Sequence, residues 1–430
     1  MAIKILDASS RRGRRLLDQL QDRGDAMLSG EVLASAAKIV DAVRQGGDRA
    51  LLKAVRRYDG FKARRLEQLR LDVASQSTEE AEQELAPGVE QALVRAIAAV
   101  ERYHEPQVHA GSRIAESGVT LEERRTPFGR VGVYVPGGRA AYASTAVMTV
   151  VPARAAGVKD IVVVTPPRAW QESGALRRVC QLLGVTEVWG MGGAQAIAAL
   201  AYGTESVPRV DKIVGPGNAW VTAAKHLVSG DVAIDGLAGP SEVVIVASGD
   251  ADPVLVAADL LAQAEHDPRA LALLVTDDRR LAKQVAAELR QQLKELPTAG
   301  VAREALEAAL VVQDMDEALA ISEAVAPEHL QLIGSAAEAL VDRVSTAGAT
   351  FVGPSTPVVF GDYIAGPSHV LPTGGTARFA SALGVEDFVR RSHVVRFDAV
   401  AARRTAAAAA VLADAEGLPA HAAAARRRLQ

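Results

Sequence analysis

The chain has 430 residues, 49% of them hydrophobic and 23% charged, with a formal net charge of −4. It is long enough for two or more buried cores, and its balance of charge excludes a general attraction to nucleic acid or anionic membrane. Aromatic residues make up only 4%, so the core is to be built from Ala, Val, Leu and Ile, and the lone Cys180 excludes an intrachain disulfide and a cysteine-rich zinc site.

The N-terminal M-A-I-K-I-L-D lacks an apolar segment and a small-residue cleavage site. No run approaches the ~18–20 apolar residues of a membrane helix, so a cytoplasmic protein is expected. Arginine clusters at 11–15 and 426–428 are read as solvated helix faces. Helical spacing of apolar residues covers Glu31–Tyr58 and Glu79–Tyr103, the latter broken at Pro87-Gly88. R-V-G-V-Y-V at 130–135 is then a buried strand closed by Pro136-Gly137-Gly138, with Ser144-Thr145 as caps for the next helix. Strand and helix alternate from there. The strands are I-V-V-V-T at 161–165, T-E-V-W-G at 186–190 and D-K-I-V at 211–214, and Gly190–Gly193 and Gly215–Asn218 form glycine-rich turns. A second alternating set starts at E-V-V-I-V-A, 242–247. Asp252-Pro253 opens its helix, and strands are expected at 271–276, 309–312, 330–334 and 349–353. After Pro372–Gly375 the pattern turns helical, ending in a short tail with E-G-L-P-A-H. The fold class is therefore α/β: two Rossmann-like parallel-sheet modules, a helical N-terminal region and a helical C-terminal tail.

Four donors that suit a divalent cation of Zn²⁺ type stand in this text without a cysteine: Gln263, His266, Asp362 and His421. At about 100° per residue, Asp259, Gln263 and His266 share one helix stripe. On that helix alone the simpler reading is a solvated polar stripe. Glu328 and His329 in A-P-E-H-L offer proton-transfer groups if they sit at a turn, which Pro327 favours, but a surface pair opening a helix fits equally. Asp362 and the second candidate His369 fall in a loop, where α/β proteins place functional side chains. By spacing alone, Glu416 and His421 are tail residues. Cys180, in an amphipathic helix, is a structural thiol rather than a nucleophile. G-M-G-G-A-Q has Gln195 where the dinucleotide fingerprint has its third glycine, and no clear acidic residue follows at the right distance. Both glycine turns still offer amides at a helix N-terminus, where phosphates bind well.

Taken together, V-Y-V-P-G-G, G-G-A-Q-A-I-A-A-L, V-G-P-G-N, A-G-P-S-E-V, Q-A-E-H, P-E-H-L, G-D-Y-I-A-G-P-S-H-V-L-P-T-G-G and E-G-L-P-A-H resemble, in this order, the histidinol dehydrogenase family. The resemblance runs from about residue 30 to the C-terminus. It implies NAD-linked, four-electron oxidation of L-histidinol to L-histidine through the aldehyde. By the same resemblance Gln263, His266, Asp362 and His421 hold Zn²⁺, while Ser241, His329 and Glu416 join those ligands around the substrate. Tyr134, Gln195 and Asn218 are the implied NAD contacts. Homodimers are implied too, with the C-terminal segment crossing so that Glu416 and His421 complete the other subunit's site. The expected organisation is an arm at 1–30, a metal and substrate module from 31–130 plus 241–380, an NAD module at 131–240, and a crossing extension at 381–430. His329 is expected to take the alcohol proton and Glu328 to activate water for the second oxidation, with no covalent thiohemiacetal. Ala143 and Ser368 depart from the residues common in the family, Pro and Asn, and neither is expected in the chemistry. The alternatives are a same-fold dehydrogenase of another small amino or sulfonated alcohol, and a non-redox metal hydrolase using Glu328 as base.

Overall fold

The computed structural model describes residues 3–73, 85–137 and 142–429. Part of the expected 79–103 helix and Gly138 therefore lie outside the described residues. The N-terminal stretch contributes β1 (Lys4–Asp7), α1 (Arg11–Gln21), α2 (Gly30–Ala54), β2 (Arg70–Leu71) and α3 (Val89–His104), followed by β3 (Arg113–Glu116) and β4 (Val119–Pro127). The first α/β unit runs β5 (Arg130–Tyr134), α4 (Ala143–Ala155), β6 (Asp160–Thr165), α5 (Pro167–Glu172), α6 (Gly174–Leu182), β7 (Glu187–Gly190), α7 (Gly193–Tyr202), β8 (Lys212–Val214), α8 (Ala219–Val228) and β9 (Ala233–Ile234). The second comprises β10 (Glu242–Ala247), α9 (Pro253–Ala264), β11 (Leu271–Thr276), α10 (Arg279–Gln292), α11 (Ala299–Ala305), β12 (Leu306–Val311), α12 (Met315–Val325), β13 (His329–Ile333), α13 (Ser335–Glu338), β14 (Ala349–Val352) and α14 (Val358–Tyr363). The chain closes with β15 (Val389–Phe397), α15 (Ala399–Ala415) and α16 (Pro419–Arg426).

Strands β5 to β9 pair in parallel in the order β7-β6-β5-β8-β9, and β2 adds antiparallel to β7. Strands β10 to β14 repeat that arrangement, β12-β11-β10-β13-β14, with β1 added in parallel at the β12 edge. Each sheet thus reverses its strand order beside its own first strand, which opens a crevice there. The strands are apolar throughout because helices cover both faces. Val162 and Val164 meet α2, α7 and α8 on one side of the first sheet, and Val163 meets α3, α4 and α6 on the other. In the second sheet Val243 and Ile245 face one core while Val244 and Val246 face the opposite one. The alternation is the two-residue pleat.

Packing changes the expected organisation in three places. Within the expected 31–130 part of the second module, α2 and α3 pack elsewhere: Ala36, Val40, Val43 and Leu51 of α2 and Val100 of α3 are buried in the cores of the first sheet. Residues 1–30 are not a purely helical arm, since β1 pairs with β12 while Ala8 and Leu20 enter a core of the second sheet. The region after Pro372–Gly375 is not helical at once. Leu383, Val385 and Phe388 are buried against the first sheet, and β15 pairs antiparallel with β4, which pairs with β3. Strands β4 and β15 are half-exposed or exposed along their length, so neither shows the apolar run or clean alternation that would announce a strand. In addition, α4 begins at Ala143 after Tyr142, so Ser144 and Thr145 lie in its first turn and do not cap it. Among the described residues no helix is long and apolar enough to cross a membrane.

Phe388 is 0% exposed and anchors the segment leading into β15. Phe388→Ala is expected to lower the free energy of unfolding by about 3–5 kcal/mol, the usual cost of an aromatic-sized void. Denaturant titration checks this, and a loss under about 1 kcal/mol would show that the site collapses around the void.

Candidate active site

The two sheets meet at a cavity of about 530 Å³. The first sheet presents the C-terminal ends of its strands, through Pro136 after β5 and Pro216, Gly217 and Asn218 after β8. That is the edge where open α/β sheets bind ligands. The second sheet presents the opposite edge: Ser241 and Glu242 at the start of β10, Leu271 at the start of β11, and Glu328 and His329 at the start of β13. Gln263, His266, Asp362 and His369 complete the wall.

Glu328 and His329 are both buried, at a turn that enters a strand and not a helix. The bond from His329 Nδ1 to the Glu242 carbonyl is 2.9 Å long. A carbonyl only accepts, so Nδ1 carries the hydrogen and Nε2 of the neutral ring has the free lone pair. Burial lowers the pKa of His329, which keeps the ring neutral and able to take a proton. The carboxyl of Glu328 is pushed well above the usual range, first by burial and then by the charges of Glu242 and Asp362. Its Oε2 accepts the Glu242 amide at 2.9 Å.

The expected metal donors divide. Gln263 on α9 is 4% exposed, and its Nε2 finds no hydrogen-bond partner among the described residues. His266 lies just beyond the end of α9, so the anticipated stripe holds only for Asp259 and Gln263. Asp259 does not line the cavity; it accepts Gln331 Nε2 at 2.6 Å. Asp362 belongs to the short α14 and not to a loop, and its Oδ1 lies 3.9 Å from His329 Nε2. The preceding Gly361 leaves no room for a side chain, because the Phe351 ring packs against it and beside His329. His369 donates from Nδ1 to the Asp362 carbonyl at 2.9 Å, fixing its own tautomer. His421 and Glu416 sit exposed in the C-terminal helical region and do not line the cavity of their own chain. Among the described residues no three His, Cys, Asp or Glu side chains form a ligand cluster. The Gln263 amide, whose ligating end is its carbonyl oxygen, the His266 imidazole and the Asp362 carboxylate all line the cavity from this chain, a donor set that suits a Zn²⁺-type ion.

The implied cofactor contacts divide as well. Asn218 lines the cavity, its Oδ1 capping α8 by accepting from Trp220 and Val221 amides. Gly215 before it has φ +107°, and a side chain there would collide with the Tyr134 carbonyl. The turn is held from behind by Lys225, whose Nζ donates to Gly215 O at 2.6 Å and Asp235 Oδ1 at 2.5 Å. Tyr134 and Gln195 are buried and do not line the cavity. At the first glycine turn the Gly193 amide donates to the Tyr134 hydroxyl, while the Gly192 amide and Gln195 Nε2 both donate to Asp59 Oδ2. That helix N-terminus is therefore filled by the chain's own carboxylate, and of the two glycine turns only Gly215–Asn218 faces the cavity.

Sequence reading missed Asp59, Arg23, Glu242, Lys225 and Asp235. The quoted A-G-P-S-E-V motif contained Glu242 without singling it out, and nothing local to Arg23 or Asp59 marks them. Cys180 is buried in the core of the first sheet with its thiol pushed up to about 12 by burial, away from the cavity. Ser368 is buried, its hydroxyl donating to Met148 O.

Two dinucleotide-type sheets facing one cleft that holds a neutral imidazole base, a buried carboxyl and amide, imidazole and carboxylate donors define a pyridine-nucleotide-linked oxidoreductase with a metal-binding active site. A family profile described as histidinol dehydrogenase matches residues 23–429. A histidinol dehydrogenase of Synechococcus sp. is 46% identical over 421 residues, covering 97% of this chain and 95% of that one. The corresponding protein of Thermus thermophilus is 47% identical over 386 residues, covering 89% and 91%. The crystal structure of histidinol dehydrogenase from Elizabethkingia anophelis superposes with a TM-score of 0.88 at 30% identity, over 99% of this chain and 98% of that one. The chain belongs to the histidinol dehydrogenase family.

With its thiol neutral far above physiological pH and 0% exposed, Cys180 is expected to resist iodoacetamide at about pH 8 in the folded protein and react after denaturation. Mass spectrometry of the alkylated protein checks this; rapid labelling of the native state would contradict the packing.

Proposed function

We propose that this cavity converts L-histidinol to L-histidine by two successive NAD-linked oxidations, the activity of its family. The observation that carries the reading is the His329 tautomer: Nδ1–H is spent on the Glu242 carbonyl, which leaves Nε2 as a base inside the cavity. His329 Nε2 takes the proton of the primary alcohol as the carbinol carbon gives up its hydride, forming the aldehyde. Water then adds to the aldehyde carbon, passing a proton to ionised Glu328 while the carbonyl oxygen takes back the proton held on His329 Nε2. The resulting diol gives up a second hydride as the freed His329 takes an O–H proton, leaving the carboxylic acid, which ionises to the carboxylate. Raising the pKa of Glu328 makes its ionised form a stronger base toward that water. The Glu242 amide keeps its carboxyl oriented.

Gln263, His266 and Asp362, with His421 of the partner subunit, are the residues that would hold Zn²⁺, whose contribution is to orient the substrate's amine and imidazole nitrogens. NAD, when bound, accepts the hydride. Asn218 and the turn before it are the cavity-facing elements for it, with Tyr134 and Gln195 supporting the neighbouring glycine turn from within. Exposure of Glu416 and His421, together with exposed Val400, Val411, Leu412 and Leu418 around them, supports a homodimer in which each tail completes the other subunit's site. Relatives at 46–47% identity carry the histidinol dehydrogenase name, which disfavours a related dehydrogenase of another small alcohol. A cytoplasmic location fits this biosynthetic role.

Purified protein given histidinol, NAD and Zn²⁺ is expected to form two NADH per histidine, followed by absorbance and amino-acid analysis. One NADH with free aldehyde would overturn the four-electron reading. Subunit sharing has its own test. His329→Gln and His421→Ala chains, each inactive alone, are expected to recover roughly a quarter of the parental activity when unfolded and refolded together in equal amounts, because half the dimers then hold one intact site. No recovery, with mixed dimers demonstrated by tagging, would place the tail in its own subunit's site.

A further inference from the structure

We propose that Arg23 and Glu242 are positioning residues for the acid-base pair, which makes the N-terminal segment a working part of the second oxidation. This rests on the reading of Glu328 and His329 given above. Arg23 grips Glu242 with two prongs, Nε to Oε1 at 2.6 Å and Nη2 to Oε2 at 2.7 Å. Its Nη1 is anchored on main-chain oxygens of Leu20, at 2.5 Å, and Val325, at 2.8 Å. Both side chains are largely withdrawn from solvent, 14% and 5% exposed, at the wall of the cavity. A two-pronged guanidinium–carboxylate contact in such a place fixes orientation as well as charge.

Glu242 passes that fixity to both catalytic side chains. Its Oε2 accepts the Glu328 amide at 3.2 Å, its own amide donates to Glu328 Oε2 at 2.9 Å, and its carbonyl receives His329 Nδ1–H at 2.9 Å. Oε1 also accepts the Gly374 amide at 3.0 Å, which ties in the P-T-G-G turn of the cavity wall. Of these two neighbouring buried carboxyl groups, Arg23 is bonded to that of Glu242. Without it, Glu242 would face Glu328 with no countercharge bonded to it, and the reciprocal bonds that aim the Glu328 carboxyl would loosen. The alcohol step, which relies on the Glu242 carbonyl, should suffer less than the water step, which relies on the Glu328 carboxyl.

The test compares the parental enzyme with Arg23→Gln and Arg23→Lys in full-length, zinc-loaded protein. It measures kcat and KM for histidinol, NADH per histidinol consumed, aldehyde trapped by semicarbazide, and zinc content. For Arg23→Gln, kcat is expected to fall about tenfold or more, part of the ~10²–10⁴-fold that a general base contributes. KM should stay within about threefold, zinc content should hold, and NADH per histidinol should drop below two as trapped aldehyde appears. Arg23→Lys, which keeps the charge without the fork, is expected to fall between the two. If Arg23→Gln does not fold, Arg23→Lys decides: a lower kcat with aldehyde leakage at constant KM supports the proposal. A kcat within twofold of the parent with two NADH still formed per histidinol would overturn it, and so would a raised KM at constant kcat, which would make Arg23 a substrate contact. A parental enzyme yielding only one NADH would instead refute the four-electron reading itself.

Discussion

Strands β10 and β13 lie side by side in parallel, with Val243 opposite His329, and everything the cavity does chemically follows from that register. It brings Glu242 against Glu328 and His329, residues 86 and 87 positions apart, so that main-chain groups of one strand dictate the side chains of the other. A slip of one residue would turn His329 to the opposite face of the sheet and exchange a base for a buried aliphatic side chain. The reciprocal Glu242–Glu328 bonds close the ends of the two strands where the ladder begins.

The first sheet meets this edge with its own switch point, but only one of its two glycine turns is open. Asp59, carried in from the N-terminal region, accepts the Gly192 amide and holds Gln195, and the Tyr134 hydroxyl accepts the Gly193 amide, whereas Lys225 and Asp235 lock the Gly215–Asn218 turn toward the cavity. The incomplete dinucleotide fingerprint has a physical counterpart here. The Gly192 and Gly193 amides are already satisfied within the chain, and Gln195, which replaces the third glycine of the fingerprint, is held by Asp59. The donor side of the cavity holds Gln263, His266 and Asp362, while Glu416 and His421 stand exposed away from it.

The strands of both α/β units were legible because a strand buried on two faces must be apolar along its length, and 242–247 and 271–276 match to the residue. The antiparallel sheet of β3, β4 and β15 was not, since R-R-S-H-V-V-R-F packs on one side only loosely and shows no periodic face. Glu328 and His329 were found as a pair of chemical types, yet their burial, and hence the raised carboxyl and lowered imidazole, comes from packing around Pro327–Ile333 that no local pattern reveals.

By itself the sequence determined the alternating α/β pattern, the glycine turns, the inert buried thiol and the ordered motifs that name the family, because each depends on residues within one turn or one strand of each other. Only the tertiary structure decided that α2 and α3 cover the first sheet, that β1 joins the second, that Arg23 and Glu242 line the cavity and that Asp59 holds the Gly192–Gly193 turn. Those contacts join residues 86 to 219 positions apart. A contact that distant leaves no periodicity in the chain; it exists only once the sheets have chosen their strand order.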